Sequence, residues 1–436
     1  MEKYTAISLF SSSGIGDIAL QKNKIDVLVA NELLEDRCSI YKRNFPKTHI
    51  VSGDIEQNHD EIIHQTKKRL GVSELDFALV TPPCQGMSKN GRGKLLAEIK
   101  AGRRPKIDPR NLLIIPALSI LRSLNPKTII FENVVEMKNT LIPREGAPKL
   151  ILEVIRDALI DYTIEVQSVE LANYGVPQNR QRLITIATRD NKLIKYFNKF
   201  GTLFPVTTHA KQSPDKKKWV TVRDIIGKLE PLDGKTKFQS KKDPLHRVPK
   251  LDDKKYRWIK CTPLNKSAFD NQCDKCGFDE NLTHMSSVNS EGINRPSSAT
   301  PIYCQQCGEL LPRPVTKKNG TIKLMKGFTS AYKRMDWDSP ASAVTRNFPY
   351  ACSDKKIHPN QHRVLSIREA CLLHTIDAND FIFENEYNKP ATFTSIRDTL
   401  GESIPPKFLH TIINHFIRIN KEETIYQDIF AQQSIL

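Results

Sequence analysis

The sequence predicts an α/β fold, a mostly parallel sheet that collects ligands along one edge, joined to a second, smaller module. Three observations carry this. Short β-rich runs recur, each ending in a small or acidic loop and followed by a helical pattern, the signature of β-α units. At 436 residues the chain exceeds what one hydrophobic core comfortably organises. After about Thr188 it turns Lys-rich and Pro-punctuated through Val315, which marks a distinct inserted domain.

Taken in order, Tyr4 to Phe10 is the first strand, and Ser11-Ser12-Ser13-Gly14-Ile15-Gly16-Asp17 is a tight loop opening a helix through Ile18, Ala19 and Leu20. A strand, a small-residue loop and a helix N-terminus cradle a nucleotide-like cofactor, although GxGxxG spacing is lacking and an ordinary strand-to-helix turn explains the loop equally well. The strand Ile25 to Ala30 ends at Asn31-Glu32, an acidic residue placed for ribose hydroxyls. Thr48 to Val51 ends at Gly53-Asp54, and Phe77 to Val80 ends at Thr81-Pro82-Pro83-Cys84-Gln85. The proline pair stiffens the backbone and delivers Cys84 at low conformational cost. A nucleophile suits that place; a small buried hydrophobe suits it too.

Lys89 to Lys106 reads as a basic loop beside the cysteine, and Asn111 to Leu124 as a helix containing Pro116. The strand Thr128 to Phe131 ends in Glu132-Asn133-Val134, again acidic at the carboxyl edge. A helix over Lys149 to Tyr162 and a strand over Thr163 to Leu171 lead to Gln178-Asn179-Arg180-Gln181-Arg182 and the strand Leu183 to Ala187. Arginines at i and i+2 share a side of a strand, which fits two contacts to one ligand or a pair of solvated edge residues.

Within the insert, Lys211 to Trp219, Lys235 to Arg247 and Lys250 to Lys260 are basic stretches interleaved with Phe238, Tyr256 and Trp258, which suit either nucleic-acid contact or a small core. Cys273-x-x-Cys276-Gly277 and Cys304-x-x-Cys307-Gly308 form two knuckles, a complete Cys₄ set for structural Zn²⁺ in a ribbon over about 270–310. Cys261 and His284 are spare on this reading. Beyond it, a basic and aromatic segment carries Arg334, and Ser366 three residues before Glu369 is a capping box for a helix bearing Arg368. Lys407 to Ile419 is a helix that closes the first domain.

The formal charge of +17 points to a polyanionic partner, nucleic acid first. No apolar run reaches the ~18 residues of a spanning helix, and no secretory pattern opens the chain. A cytoplasmic protein is expected, where nine cysteines need an explanation other than disulfides.

With these landmarks in this order, the chain resembles the DNA cytosine-5 methyltransferases along almost its whole length. The resemblance rests on Pro82-Pro83-Cys84-Gln85, Glu132-Asn133-Val134, the Gln178 to Arg182 cluster and Arg363-x-x-Ser366-x-Arg368-Glu369. It implies a Rossmann-like, S-adenosylmethionine-dependent large domain (1–189), a target-recognition domain (190–390) containing the zinc ribbon, and a segment (391–436) returning to the large domain. It implies that Phe10, Ser12, Gly14, Glu32, Asp54, Pro82 and Ser403 line the cofactor site. Cys84 is the expected nucleophile on cytosine C6, Glu132 the group at N3 and the exocyclic amine, Arg182 the contact to O2, and Arg180 a phosphate clamp. Gln85, Ser88, Arg334, Arg363 and Arg368 are expected on double-stranded DNA, with the target base flipped out.

Two departures stand out. Phe-x-Gly-x-Gly-Gly is the usual glycine-rich motif, where this chain has Phe10, Ser12, Gly14 and Ile15; the late Gly-Asn is here Gly401-Glu402. The leading expectation is the monomeric modification enzyme of a bacterial restriction system, whose cognate endonuclease shares its site without needing to bind it. Methylation of tRNA, and a non-catalytic zinc-ribbon binder on a degenerate scaffold, are the alternatives.

Overall fold

The computed structural model describes residues 4–83, 108–143, 147–283, 286–288, 294–297, 299–325 and 330–422. Seven strands form the central sheet: β1 (Thr5–Leu9), β2 (Asp26–Glu32), β3 (His49–Ser52), β4 (Phe77–Val80), β5 (Thr128–Asn133), β6 (Thr163–Glu170) and β7 (Gln181–Thr188). Their order is β3-β2-β1-β4-β5-β7-β6. β1 to β5 run parallel, and β7 lies antiparallel to both β5 and β6. Strand order reverses between β1 and β4, so a crevice opens at their carboxyl ends, where sheets of this kind bind ligands.

Strand residues alternate between two cores, as a period of two requires. Ala6, Phe77, Leu79, Ile130, Ile184 and Ile186 face one; Ile7, Leu9, Ala78, Val80, Ile129 and Phe131 face the other. Helices α1 (Ile18–Lys22), α2 (Glu35–Asn44), α3 (His59–Leu70), α4 (Ile114–Leu124) and α5 (Ile151–Ala158) connect these strands. After the sheet come α6 (Asn191–Phe200), α7 (Asp253–Lys260), α8 (Ile367–Leu373), α9 (Phe393–Glu402) and α10 (Pro406–Asn420). Pro116 falls in the first turn of α4, where its missing N–H costs nothing, so the helix does not kink there.

Leu409, Ile412 and Ile413 of α10 pack with Ala19 and Leu20 of α1. Leu193, Leu203 and Phe204, which lie beyond residue 189, pack in that same core. Another cluster joins Ile15, Ile18, Tyr41 and Phe45 to Leu365, Ile367 and Leu400, so the glycine-poor loop after β1 rests on the segment leading to α8 and α9. Ile15 is buried there, which explains an isoleucine at a position where the resemblance leads one to expect glycine. The inserted region has its own core around Trp258, Phe269, Val315, Tyr332 and Ile357. No helix among the described residues is long and apolar enough to cross a membrane.

Candidate active site

The loop leaving β1 turns sharply. Phe10 and Ser12 are in the left-handed region (φ 61° and 51°), as is Gly14 (φ 91°). At Gly14 a Cβ would stand 2.4 Å from the Phe45 ring, so only glycine fits. The turn aims the Ser12 N–H at Glu32 Oε2 (2.9 Å), while Leu34 N–H donates to Oε1 (3.0 Å). Burial raises the Glu32 carboxyl above its ordinary range, and the Leu34 N–H, the Arg37 charge and the Ser12 N–H pull against that rise. Glu32 is the last residue of β2, and Gly53 N–H donates to its carbonyl (2.8 Å), which brings Asp54 to the same edge. Asp54 Oδ1 accepts from Glu56 N–H (2.8 Å). On the neighbouring strand end, Thr81 N–H reaches Leu9 O (3.2 Å) and its hydroxyl reaches Phe10 O (3.0 Å). Phe10, Ser12, Gly14, Glu32, Asp54 and Pro82 thus sit on the loops and strand ends of one carboxyl edge. Two carboxylates, small residues and one aromatic ring stand together there, a set that suits a nucleoside-like ligand.

One strand over, Glu132 is the penultimate residue of β5, and the β7 register sets Ile184 opposite it. Arg182 Nε meets Glu132 Oε1 at 2.7 Å, with side chains only 15% and 8% exposed. Arg182 Nη1 also donates to Gln181 O (2.7 Å), so the guanidinium is fixed from two sides. Asn133 Nδ2 donates to Pro82 O (3.1 Å), and its own Oδ1 accepts from Val134 N–H (2.8 Å). The Glu-Asn-Val triplet therefore ties the acidic residue to the proline pair. Cys84, Gln85 and Ser88 lie outside the described residues.

Arg180 does not share a ligand with Arg182. Its side chain is 1% exposed, and it donates to Val344 O (2.8 Å) and Ser403 O (2.7 Å), so the expected phosphate clamp is corrected to a buried brace. Ser403 is likewise turned inward: its hydroxyl donates to Leu400 O (3.2 Å) and pairs with His374 Nε2 (3.0 Å). Gln178 completes the knot, donating to Leu373 O (2.9 Å) and accepting from Val344 N–H (3.0 Å), with its amide 3.2 Å from His374 Nδ1. Burial, then the charges of Arg180 and Arg182, holds His374 well below the ordinary histidine range, so the ring is neutral. Gln178 and His374 were not assigned roles from sequence; only the place of Gln178 in the arginine cluster hinted at one.

Glu402 pairs with Arg37 on one oxygen (2.8 Å) and Arg346 on the other (2.9 Å). Arg37 also reaches Ser12 Oγ (3.4 Å). The two departures from the family pattern, Ser12 and Glu402, thus meet on one arginine beside Glu32. At Gly401, a Cβ would lie 2.0 Å from Arg346 N, so glycine is required for the chain to pass there.

Cys273, Cys276, Cys304 and Cys307 converge, with all four sulfurs within 4.8 Å of one another. The Cys273–Cys307 and Cys276–Cys304 distances are 3.6 and 3.7 Å. Disulfide sulfurs stand about 2 Å apart, whereas tetrahedral thiolates on zinc with ~2.3 Å bonds stand about 3.8 Å apart. Gly277 and Gly308 both take left-handed φ (76° and 71°), as knuckle turns need. Cys261 stays outside the set, against Asp274 (3.7 Å), and His284 is outside the described residues.

The arginines expected on DNA are scaffold residues. Arg334, 3% exposed, donates to the carbonyls of Ile259, Thr262, His358 and Gln361 at 2.6 to 2.8 Å, which staples the end of α7. Arg363, 1% exposed, makes a bidentate pair with Glu369 (2.7 and 2.7 Å). Arg368 pairs with Asp243 (2.5 Å). A buried guanidinium with its donors taken has none left for a phosphate. Trp258 is core, 4% exposed, whereas Lys250 stacks over Phe238 at 4.3 Å. The capping box at Ser366 and Glu369 is present as expected.

The family model for C-5 cytosine-specific DNA methylases matches residues 4–418. Type II methyltransferase M1.HgaI of Avibacterium volantium is 28% identical over 424 residues, covering 95% of this chain and 98% of its own. Type II methyltransferase M.AgeI of Thalassovita gelatinovora is 24% identical over 440 residues, covering 92% and 96%. Among solved structures, DNMT2 of Spodoptera frugiperda is similar in fold, with a TM-score of 0.52 at 15% identity over 95% of this chain and 100% of that one. With a family match that spans nearly the entire sequence and a sheet that presents its motifs on one edge, the chain belongs to the C-5 cytosine-specific DNA methylase family.

Proposed function

We propose that this S-adenosylmethionine-dependent cytosine-5 DNA methyltransferase uses Cys84 as its nucleophile and Glu132 with Arg182 as the pair that activates the flipped base. The observation that carries the proposal is the 2.7 Å Arg182–Glu132 pair, tied through Asn133 to the carbonyl of Pro82, two residues before the cysteine. Cytosine C5 is a poor nucleophile until C6 is saturated. The Cys84 thiolate adds to C6, a C–S bond forms, and the displaced electron pair gives C5 enamine character. Glu132 holds N3 and the exocyclic amine as charge accumulates in the ring, and Arg182 fixes the carboxylate and contacts O2. Phe10, Ser12, Glu32 and Asp54 would hold S-adenosylmethionine, whose sulfonium would supply an electrophilic methyl group to C5 and leave as the neutral thioether. Loss of the C5 proton to a base, with expulsion of Cys84, then restores the aromatic ring. Gln85 and Ser88 contact the target strand in this reading.

The four cysteines hold one structural Zn²⁺, because a full thiolate set leaves no open position for chemistry. Elemental analysis is expected to give about one zinc per chain; a folded, metal-free preparation would refute the site. The similarity to two Type II methyltransferases across nearly the whole chain supports a modification enzyme; we take it to work as a cytoplasmic monomer whose cognate endonuclease cuts the same site.

The decisive assay incubates the protein with labelled methyl donor and, separately, unmethylated duplex DNA and tRNA, and maps the product by bisulfite sequencing. Label in DNA at C5 of a defined site is expected. Label confined to tRNA would overturn the substrate. Cys84→Ala should lower turnover by at least about 10³-fold while sparing donor binding, and substantial remaining turnover would sink the covalent route.

A further inference from the structure

In the inserted region, β8 (Val315–Lys318) and β9 (Thr321–Leu324) form an antiparallel hairpin. Asn319 and Gly320 close it with φ of 48° and 77°, the positive pair of a type I′ turn. Its two faces differ in kind. Val315, Ile322 and Leu324 pack inward with Trp258 and Tyr332. The cross-strand pairs Thr316–Lys323 and Lys318–Thr321 stand exposed on the other side, whereas Lys317, paired with Ile322, belongs by register to the inner side and is exposed near the tip.

Some lysines elsewhere in this region are neutralised: Lys235 by Asp253, Lys237 by Glu230, Lys255 by Asp252 and Lys275 by Glu309. Residues 313–325 contain no acidic side chain, and among the described residues none pairs with Lys317, Lys318 or Lys323. Like charges on one side of a ribbon repel, a cost that a polyanion removes. The hairpin is also firmly mounted. Buried Arg313 at its base donates to Asn271 O (2.8 Å) and Pro301 O (2.7 Å), and Asn271 Nδ2 donates to Pro312 O (2.6 Å). Leu311, just before it, packs on Cys273 and Cys304.

We infer that the exposed lysines of this hairpin are a phosphate clamp: Lys318 and Lys323 on its outer face, with Lys317 beside the tip on the other side, neutralise the backbone of the target duplex and position it without reading its bases. A two-stranded ribbon has the width of the major groove, and lysine offers a point charge where base reading calls for the forked geometry of Arg, Asn or Gln. The inference rests on the DNA-methylating reading above.

The test compares full-length wild type with the Lys317→Gln/Lys318→Gln/Lys323→Gln variant. Binding is measured by anisotropy on a fluorescent duplex bearing the bisulfite-mapped site and on a scrambled one. The slope of log affinity against log salt should shrink by about 2 to 3, at roughly 0.9 per lost phosphate contact. The loss should be equal on both duplexes, KM for DNA should rise with kcat kept, and the corresponding triple Lys→Arg variant should restore the slope. An unchanged slope in an enzyme whose wild type methylates DNA would overturn the clamp alone, and so would a loss confined to the mapped site. Failure of wild type to methylate DNA would instead overturn the parent reading.

Discussion

Arg182–Glu132 and Arg363–Glu369 are both arginine–carboxylate pairs drawn from sequence motifs of the same family pattern, and both close at 2.7 Å. The first stands at a strand end beside the crevice, with one close contact between the charges and part of each side chain open to solvent. The second is sealed, bidentate, and backed by His358, whose Nε2 lies 3.7 Å from Glu369. An ion pair at an edge can exchange its partner for a substrate, whereas one in the interior cannot without stranding a charge. Geometry around the pair, and not the residue types in it, separates the arginine proposed for catalysis from the structural one.

The largest effect tests the sealed pair. Arg363→Ala should cost about 3–5 kcal/mol of stability by leaving Glu369 buried and unpaired, read by urea denaturation. Arg182→Ala should instead lower kcat by about 10²–10³-fold, the scale for removing one preorganised electrostatic contact, with the urea midpoint little moved. Exchange of these two phenotypes would break the distinction.

Acid should probe the interior group alone. Burial would raise Glu369 and is the largest single influence, but the Arg363 charge and hydrogen bonds, with His358 and the Ser366 N–H, together outweigh it and hold the carboxyl at about 2 against an ordinary 4.5. Burial, with help from Arg363 and Arg334 and against the pull of Glu369, lowers His358 to about 3 from 6.5. Both groups bind protons more readily unfolded than folded, so stability rises with pH through each window. It is complete above pH 6.5; the His358 share is lost as pH falls from there toward 3, and the Glu369 share from 4.5 toward 2. Urea midpoints at neutral pH and near pH 5.5 should differ in the wild type, and His358→Asn should flatten that difference.

The smallest effect concerns the altered cofactor corner. Glu402→Gln removes the partner that Arg37 shares with Ser12 and Glu32, and should raise KM for the methyl donor a few-fold, within about 1 kcal/mol for a partly exposed pair. An unchanged KM would show that Ser12 and Glu402 vary independently.

Much of this was legible in the chain. The period-two apolar runs and their acidic or proline-bearing ends placed β1 to β5, because burial on both sheet faces leaves a plain hydrophobic signal. The cysteine knuckles were legible because metal spacing is local. Arg180, Arg334 and Arg363 misled for the opposite reason: what decides their work is partners distant in sequence, such as Ser403 and Val344 for Arg180, or main-chain carbonyls that carry no sequence signal at all. The Arg37–Glu402 pair was hidden likewise, since neither residue has meaning until α2 and α9 are brought together.

The packing of α10 on α1 sets an order of events for a chain made from its N-terminus. Ala19 and Leu20 emerge long before the apolar surface that covers them, Leu409 to Ile413. Contacts of such long range also form slowly. The cofactor-binding half therefore stays uncovered while the whole inserted region is synthesised, and a ribosome that stops short of α10 releases no finished methylase.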